Sequence, residues 1–152
     1  MKKTLLKLLF AIALILPVAA SAKVPANAEA VKTHLEFLGY KVTQNEKRMK
    51  ATHSKYVNFL LKKYRGGIYC IAYFGASPEA KSDRLGYLNA LNKLNSNAII
   101  VRFYADKVSD LAVEAVYVGA YEKARFGDFI DKFNNAQKQL KKDQGGIKKY
   151  IK

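Results

Sequence analysis

The chain has 152 residues, of which 27 are Lys or Arg and 12 are Asp or Glu, giving a formal net charge of +15 at pH 7. Half of the residues are hydrophobic and 12% are aromatic. Intrinsically disordered chains are polar and poor in aromatic residues, so this composition excludes that class of protein. The length fits one ordinary domain and leaves no room for a second, so the sequence predicts a single basic domain.

The first segment has the pattern of a secretory signal peptide. Three lysines precede an apolar run over residues 8–16, and the small residues Ala20 and Ala22 form a cleavage pattern. We expect residues 1–22 to be removed, which leaves 24 basic against 12 acidic residues and a net charge of +12. The apolar run is about half as long as a spanning helix, so we expect no transmembrane segment after cleavage. The predicted location is the bacterial periplasm or the secreted fraction.

The mature chain begins with a predicted helix over residues 27–38, where apolar side chains recur at helical spacing and Gly39 ends the pattern. The polar stretch 40–54 predicts a single strand, around residues 48–52. Two runs rich in Val, Ile, Tyr and Phe follow, over 56–64 and 68–74. The glycines between them favour a tight reversal, so these runs predict a β-hairpin.

Cys70 lies in the middle of the second run and is the chain's one cysteine, so it cannot form an internal disulfide. A catalytic thiol needs a base, and the two histidines, His34 and His53, stand at no spacing that places them beside it. We interpret Cys70 as a small buried hydrophobic residue.

Ser77 and Pro78 predict the start of a second helix, which should extend towards Asn95. Two further strands, over 98–105 and 111–118, predict a second hairpin.

The turn of this second hairpin fixes a register if the strands pair symmetrically about Val108. Arg102 then lies opposite Glu114, and Tyr104 opposite Ala112, on one face of the sheet. The other face pairs two apolar positions, Phe103 with Val113 and Val101 with Ala115.

The last predicted helix has the clearest apolar stripe, which runs from Phe126 to Leu140. Residues 141–152 carry five lysines and two adjacent glycines, and predict a frayed basic tail. The predicted fold is therefore α+β, a single domain over 23–140 in the order α-β-β-β-α-β-β-α. Its antiparallel sheet has about five strands, with the helices packed mainly on one face.

The sequence contains no glycine-rich phosphate loop, no histidine pair at metal spacing, no Cys-x-x-Cys motif and no Gly-x-Ser-x-Gly motif. Asp128 and Asp131 lie three residues apart, which a solvated helix face explains more simply than an acid and base pair. We expect no catalytic residue, no metal site and no other cofactor.

Tyrosines supply the candidate binding surface. In the first hairpin they alternate away from the predicted core side, and together with Tyr104, Lys62 and Arg102 they give one sheet face a tyrosine and cation surface. Such a surface suits an extended peptide, and it could also stack on sugars or bases. The alternative is that tyrosine is simply a good residue for a half-exposed strand. The candidate partner-binding residues are Tyr64, Tyr69, Tyr73, Arg102 and Tyr104.

The net charge predicts attraction to anionic partners. The candidate anion-binding residues are four lysines near the C-terminus: Lys141, Lys142, Lys148 and Lys149. The other cations are spread along the chain without a base-reading element, so we expect no specific nucleic-acid partner. The alternative function is therefore a basic envelope protein that binds anionic polymers or membrane surfaces by charge.

A family resemblance rests on residues 87–118. They comprise the segment 87–92 with the sequence Tyr-Leu-Asn-Ala-Leu-Asn, the Arg-Phe-Tyr strand 102–104, the acidic turn 106–110 and the apolar strand 111–118. This pattern resembles the YbjN-like domain family. That family shares its architecture with type III secretion chaperones. The resemblance implies a non-catalytic domain that binds a protein or peptide partner, with a homodimer as one arrangement. The export signal and the basic charge depart from it, because many chaperones of this architecture are acidic. We expect an exported, chaperone-like binding domain.

Overall fold

The computed structural model describes residues 27–152, and the predicted signal peptide over 1–22 lies outside them. Helices and strands follow one another as α1 (Ala28–Phe37), β1 (Lys41–Gln44), β2 (Met49–Thr52), β3 (Phe59–Tyr64), β4 (Gly67–Phe74), α2 (Pro78–Ser82), α3 (Arg84–Ser96), β5 (Arg102–Ala105), β6 (Leu111–Tyr117), α4 (Lys123–Lys141) and a terminal 3-10 helix (Gln144–Tyr150).

One antiparallel sheet contains all six strands, in the order β1-β2-β3-β4-β6-β5. The apolar stripe of α4 covers one face of it: Phe133 packs edge to face on Phe59 and Phe126 on Tyr117, with ring centroids 5.5 and 5.4 Å apart. Cys70 lies on this covered face, fully buried, as predicted. The α+β fold class is confirmed, with six strands where about five were expected.

The structure contains both predicted hairpins. Arg65 and Gly66 both have positive φ, 41° and 81°, which is the conformation of a two-residue turn whose twist matches the flanking strands. In the second hairpin, the structure pairs Arg102 with Glu114 and Phe103 with Val113. The symmetric register predicted about Val108 is therefore confirmed over β5. Residues 98–101, predicted as the first half of this strand, precede β5, so the predicted pair of Val101 with Ala115 is not formed.

Strand β1 was not predicted. It pairs with β2, and Val42 lies opposite Ala51. The turn between the two strands is ordered by Asn45, whose side-chain Oδ1 accepts the backbone N–H groups of Lys47 and Arg48 at 3.0 and 3.1 Å. The strand's short polar sequence has no β pattern of its own, so its pairing with β2 and this turn define it.

The second predicted helix is broken at Asp83, which has φ −113° and ψ 62°. α2 ends before this residue, and the Asp83 carboxylate begins α3 by accepting the backbone N–H of Gly86 at 3.0 Å. An aspartate in this position satisfies an N–H that has no partner within the helix. Two helices therefore replace the single one expected over 77–95.

The expectation of a frayed C-terminal tail was wrong. Ile147 and Tyr150 are buried in the core, and Ile151 forms a β-bridge with Ala76. The Tyr150 hydroxyl donates to Asp83 Oδ2 at 2.6 Å. Apolar burial fixes this basic segment, and its lysines remain exposed on the outer side. Within residues 27–152, no helix has the length and hydrophobicity that a membrane crossing requires.

Candidate functional site

The sheet face opposite α4 is exposed to solvent across much of its area, and we call it the open face. Lys50, Tyr73, Arg102 and Val116 are exposed on it, while Ile71 is buried beneath its neighbours. Strand register sets the side chains on this face: Lys50, Leu60, Lys62, Tyr64, Tyr69, Ile71, Tyr73, Arg102, Tyr104, Ala112, Glu114 and Val116.

One row of side chains crosses five strands in register. Arg102 on β5 lies opposite Glu114 on β6, which lies opposite Ile71 on β4. The row continues to Leu60 on β3 and Lys50 on β2. Directly opposed residues on one face are within side-chain contact distance, so the row connects the β5 side of the face to the β2 side.

Glu114 organises the β5 side of the open face. Its Oε1 forms an ion pair with the Arg102 guanidinium, and its Oε2 accepts the Tyr69 hydroxyl. The Glu114 side chain is only 15% exposed, whereas that of Arg102 is 68% exposed. Burial and the hydrogen bond to Glu114 together raise the pKa of Tyr69, so its hydroxyl stays protonated as a donor. The charge of Arg102 is therefore neutralised by Glu114, the residue that the predicted register places opposite it.

Cations lie against the tyrosine rings of this face. The Arg102 guanidinium carbon lies 4.9 Å from the centre of the Tyr104 ring, and Lys62 Nζ lies 4.6 Å from that of Tyr69. Burial is the main cause that raises the pKa of Tyr73 and of Tyr104. These rings carry neutral hydroxyls at physiological pH, and they present apolar faces with polar tips.

The five predicted partner-binding residues therefore share one face. Tyr69, Tyr104 and Arg102 form its centre around Glu114, and Tyr73 is 48% exposed beside them. Tyr64 lies at the hairpin end, with its ring 6.1 Å from that of Tyr69. Their role in partner binding stays a prediction.

Sequence reasoning left out Glu114, Leu60, Arg48 and Lys50 as site residues. Glu114 could have been found, because the predicted register places it opposite Arg102 in the middle of the tyrosines. Leu60 could also have been found, because it lies opposite Ile71 in the predicted first hairpin. Arg48 and Lys50 depend on the pairing of β2 with β3, and no turn motif in the sequence indicates that register.

The four predicted anion-binding lysines are all exposed. Lys141 is the last residue of α4 and Lys142 follows it, while Lys148 and Lys149 belong to the terminal 3-10 helix. Lys149 Nζ lies 3.4 Å from Asp83 Oδ2 and 4.6 Å from the centre of the Tyr150 ring, so this lysine is already paired within the fold.

The Cys70 thiol and the His34 imidazole are two reactive groups, and both have roles in packing or hydrogen bonding within the described structure. Burial raises the pKa of the Cys70 thiol well above its ordinary value. Burial, with the charge of Lys123, lowers the pKa of His34, whose Nδ1 shares a 3.1 Å hydrogen bond with the Tyr121 hydroxyl. In residues 27–152, no three His, Cys, Asp or Glu side chains are grouped to hold a metal ion.

The open face can bind by stacking, hydrogen bonding and charge.

Solved structures with a similar architecture are known. The crystal structure of YbjN from E. coli superposes with a TM-score of 0.65, covering 87% of this chain and 99% of that one at 15% sequence identity. The chain has the YbjN-like fold. The resemblance predicted from residues 87–118 is thereby confirmed for the fold.

Two further structures share the YbjN-like fold. A protein from Methanothermobacter thermautotrophicus matches with a TM-score of 0.54 and 14% identity, over 74% of this chain and 92% of that one. A chain of the heterodimeric ExoU-SpcU complex, from the type III secretion system of Pseudomonas aeruginosa, matches with a TM-score of 0.52 and 18% identity. That match covers 72% of this chain and 93% of the other. No protein-family model and no curated protein matches the sequence.

Proposed function

We propose that this protein is a non-catalytic, chaperone-like domain of the bacterial envelope, which binds an extended segment of a partner protein on the open face. The observation that carries the proposal is the ordered set of tyrosines around Glu114 on an exposed sheet face. Large amphipathic rings on a rigid support are typical anchors of protein interfaces.

Preorganisation supports this use of the face. The Arg102 ion pair and the Tyr69 hydrogen bond both end on the same largely buried carboxylate, so these side chains are ordered before a partner arrives. Binding then costs less side-chain entropy than it would on freely rotating residues. Tyr73 is exposed beside them and offers its ring directly to a partner.

The fold supports a protein partner. A chain with the same architecture forms the heterodimeric ExoU-SpcU complex. The proposed location is supported by the signal-peptide pattern in residues 1–22. Cys70 is compatible with an oxidising compartment, because its thiol is fully buried.

Site-specific photo-cross-linking tests the proposed surface. A photoreactive phenylalanine analogue replaces Tyr73 on the open face or, as the matched control, Phe37 on α1, which is 80% exposed. The full chain is produced in its native bacterium, cells are irradiated, and adducts are identified by mass spectrometry. We expect one partner protein to cross-link at position 73 and not at position 37.

The same adduct in equal yield at both positions, or no protein adduct at position 73, would overturn the proposed surface. A second variant separates surface from folding: Tyr73→Ala should abolish co-purification of that partner while leaving the thermal unfolding midpoint nearly unchanged, because the ring is 48% exposed.

Binding of anionic polymers by charge is the second candidate. It is favoured by the 27 basic residues against 12 acidic ones and by the exposed lysines near the C-terminus. A charge-driven interaction weakens steeply as salt rises, whereas aromatic anchoring does not.

A further inference from the structure

The open face divides into two electrostatically different halves. On the β5 side, Arg102 is neutralised by Glu114. On the β2 and β3 side, Arg48, Lys50 and Lys62 are exposed, and within residues 27–152 no carboxylate lies within 4 Å of their charged groups. We call these three residues the cationic strip. The positive charge available on this face is therefore concentrated in one place.

The strip borders a shallow groove made of two adjoining depressions. The first, of about 280 Å³, lies by edge strand β1 and is lined by Thr43, Lys50, Arg48 and Leu60 among others. The second, of about 120 Å³, is lined by Arg48, Leu60, Lys62, Ile71, Tyr69 and Tyr73 among others. Arg48 and Leu60 line both depressions, so the two lie side by side between β1 and the tyrosines of β4.

The floor and rim of this groove differ in chemistry. Leu60 lies opposite Ile71 on the neighbouring strand, which gives an aliphatic floor, and Tyr73 closes one end. The rim carries the cationic strip. The groove crosses three strand spacings of about 4.8 Å, roughly 14 Å in all, which matches four or five residues of extended chain at about 3.3 Å each.

We propose that the groove binds an extended acidic segment of a partner protein, four or five residues long, in which carboxylates flank apolar side chains. This inference rests on the proposed function and adds the chemistry of the partner. The carboxylates pair with the cationic strip, and the apolar side chains cover Leu60 and the tyrosine rings. A polyanion without apolar groups leaves the floor uncovered, so the groove favours a peptide over a phosphate polymer.

Fluorescence anisotropy with a labelled peptide tests the inference. The probe has the core Asp-Leu-Asp-Val-Glu between Gly-Ser linkers, and the uncharged control peptide has the core Asn-Leu-Asn-Val-Gln. We expect the acidic peptide to bind the purified protein at 150 mM salt. The triple variant Arg48→Gln, Lys50→Gln, Lys62→Gln should weaken that binding roughly tenfold, as three exposed ion pairs would.

A matched variant controls for net charge. Lys81→Gln, Lys93→Gln, Lys138→Gln removes three exposed cations outside the open face and outside the C-terminal lysines, and it should change the affinity for the peptide by less than about twofold. All six side chains are exposed, so both triple variants should fold, which circular dichroism checks. Equal weakening by the two triple variants, or equal binding of the two peptides, would overturn the proposed peptide site.

Inorganic polyphosphate is the competing probe. If the cationic strip governs polyphosphate binding while the acidic peptide binds no better than its uncharged control, the partner is an anionic polymer and the inference is wrong. The outcome for the proposed function is separate. A partner that cross-links at position 73 in cells, without acidic peptide binding in vitro, leaves the open face as the binding surface and rejects only the acidic chemistry.

Discussion

Asp83 joins three parts of the chain through a single carboxylate. It accepts the backbone N–H of Gly86 at 3.0 Å and the Tyr150 hydroxyl at 2.6 Å, and Lys149 Nζ lies 3.4 Å away. These hydrogen bonds, that from Tyr150 first, hold the pKa of Asp83 below its ordinary value of 3.8. Ionised Asp83 therefore stabilises the fold above pH 3.8, and this contribution is lost as pH falls through the lower folded-state pKa.

We expect Asp83→Asn to lower the free energy of unfolding at pH 6, and to bring wild type and variant closer together as pH approaches 3. Urea unfolding at both pH values measures the difference. Asp131→Asn is the control, because that exposed carboxylate on α4 makes no side-chain hydrogen bond or ion pair with residues 27–152. A loss from Asp83→Asn that is equal at both pH values would show that the charge has no role.

A side chain of α3 covers the edge of the sheet formed by β5. Edge strand β5 is closed by Asn95 of α3, whose Nδ2 donates to the Phe103 carbonyl at 2.8 Å and whose Oδ1 accepts the Phe103 N–H at 2.9 Å. One carboxamide thus takes the place of a neighbouring strand's peptide group. Exposed strand edges otherwise invite pairing with other chains.

We expect Asn95→Ala to lower the free energy of unfolding by about 1–3 kcal/mol, because it leaves two partly buried backbone groups without partners. The bare edge should also promote self-association. Urea unfolding measures the first effect and sedimentation velocity the second. Asn92→Ala is the control on the exposed side of the same helix, where the side chain makes no hydrogen bond within the described structure. Identical behaviour of the two variants would refute the role of Asn95.

The elements that could be predicted are those whose information is local. Alternation and a symmetric turn fix the β5–β6 register, and the long apolar stripe fixes α4. β1 and the terminal 3-10 helix depend on distant partners: β1 on β2 and the 3-10 helix on Asp83 and the core around Ile147. The same reason limited the site, because the tyrosines and Lys62 follow the alternation of the hairpins, whereas the positions of Arg48 and Lys50 depend on the β2–β3 register.

The positive charge of the protein remains after the proposed export and cleavage. Removal of residues 1–22 leaves 24 basic and 12 acidic residues, so the excess of positive charge belongs to the domain itself. A protein with this field attracts anionic molecules at long range, and we expect this attraction to bring the proposed acidic partner to the open face. Long-range steering falls with ionic strength, whereas the aromatic anchors hold the bound partner.

Processing of the chain's N-terminus tests the proposed export. Signal peptidase requires small residues before the cleaved bond, so the full chain produced in a Gram-negative host should yield a periplasmic protein that begins at Lys23. The variant Ala20→Leu, Ala22→Leu should remain unprocessed, and intact-mass measurement of each cell fraction distinguishes the two forms. The periplasmic product should be a monomer on a non-reducing gel, because the Cys70 thiol is fully buried. A soluble cytoplasmic product with its N-terminus intact would contradict the envelope location, while leaving the open face available to a partner in the cytoplasm.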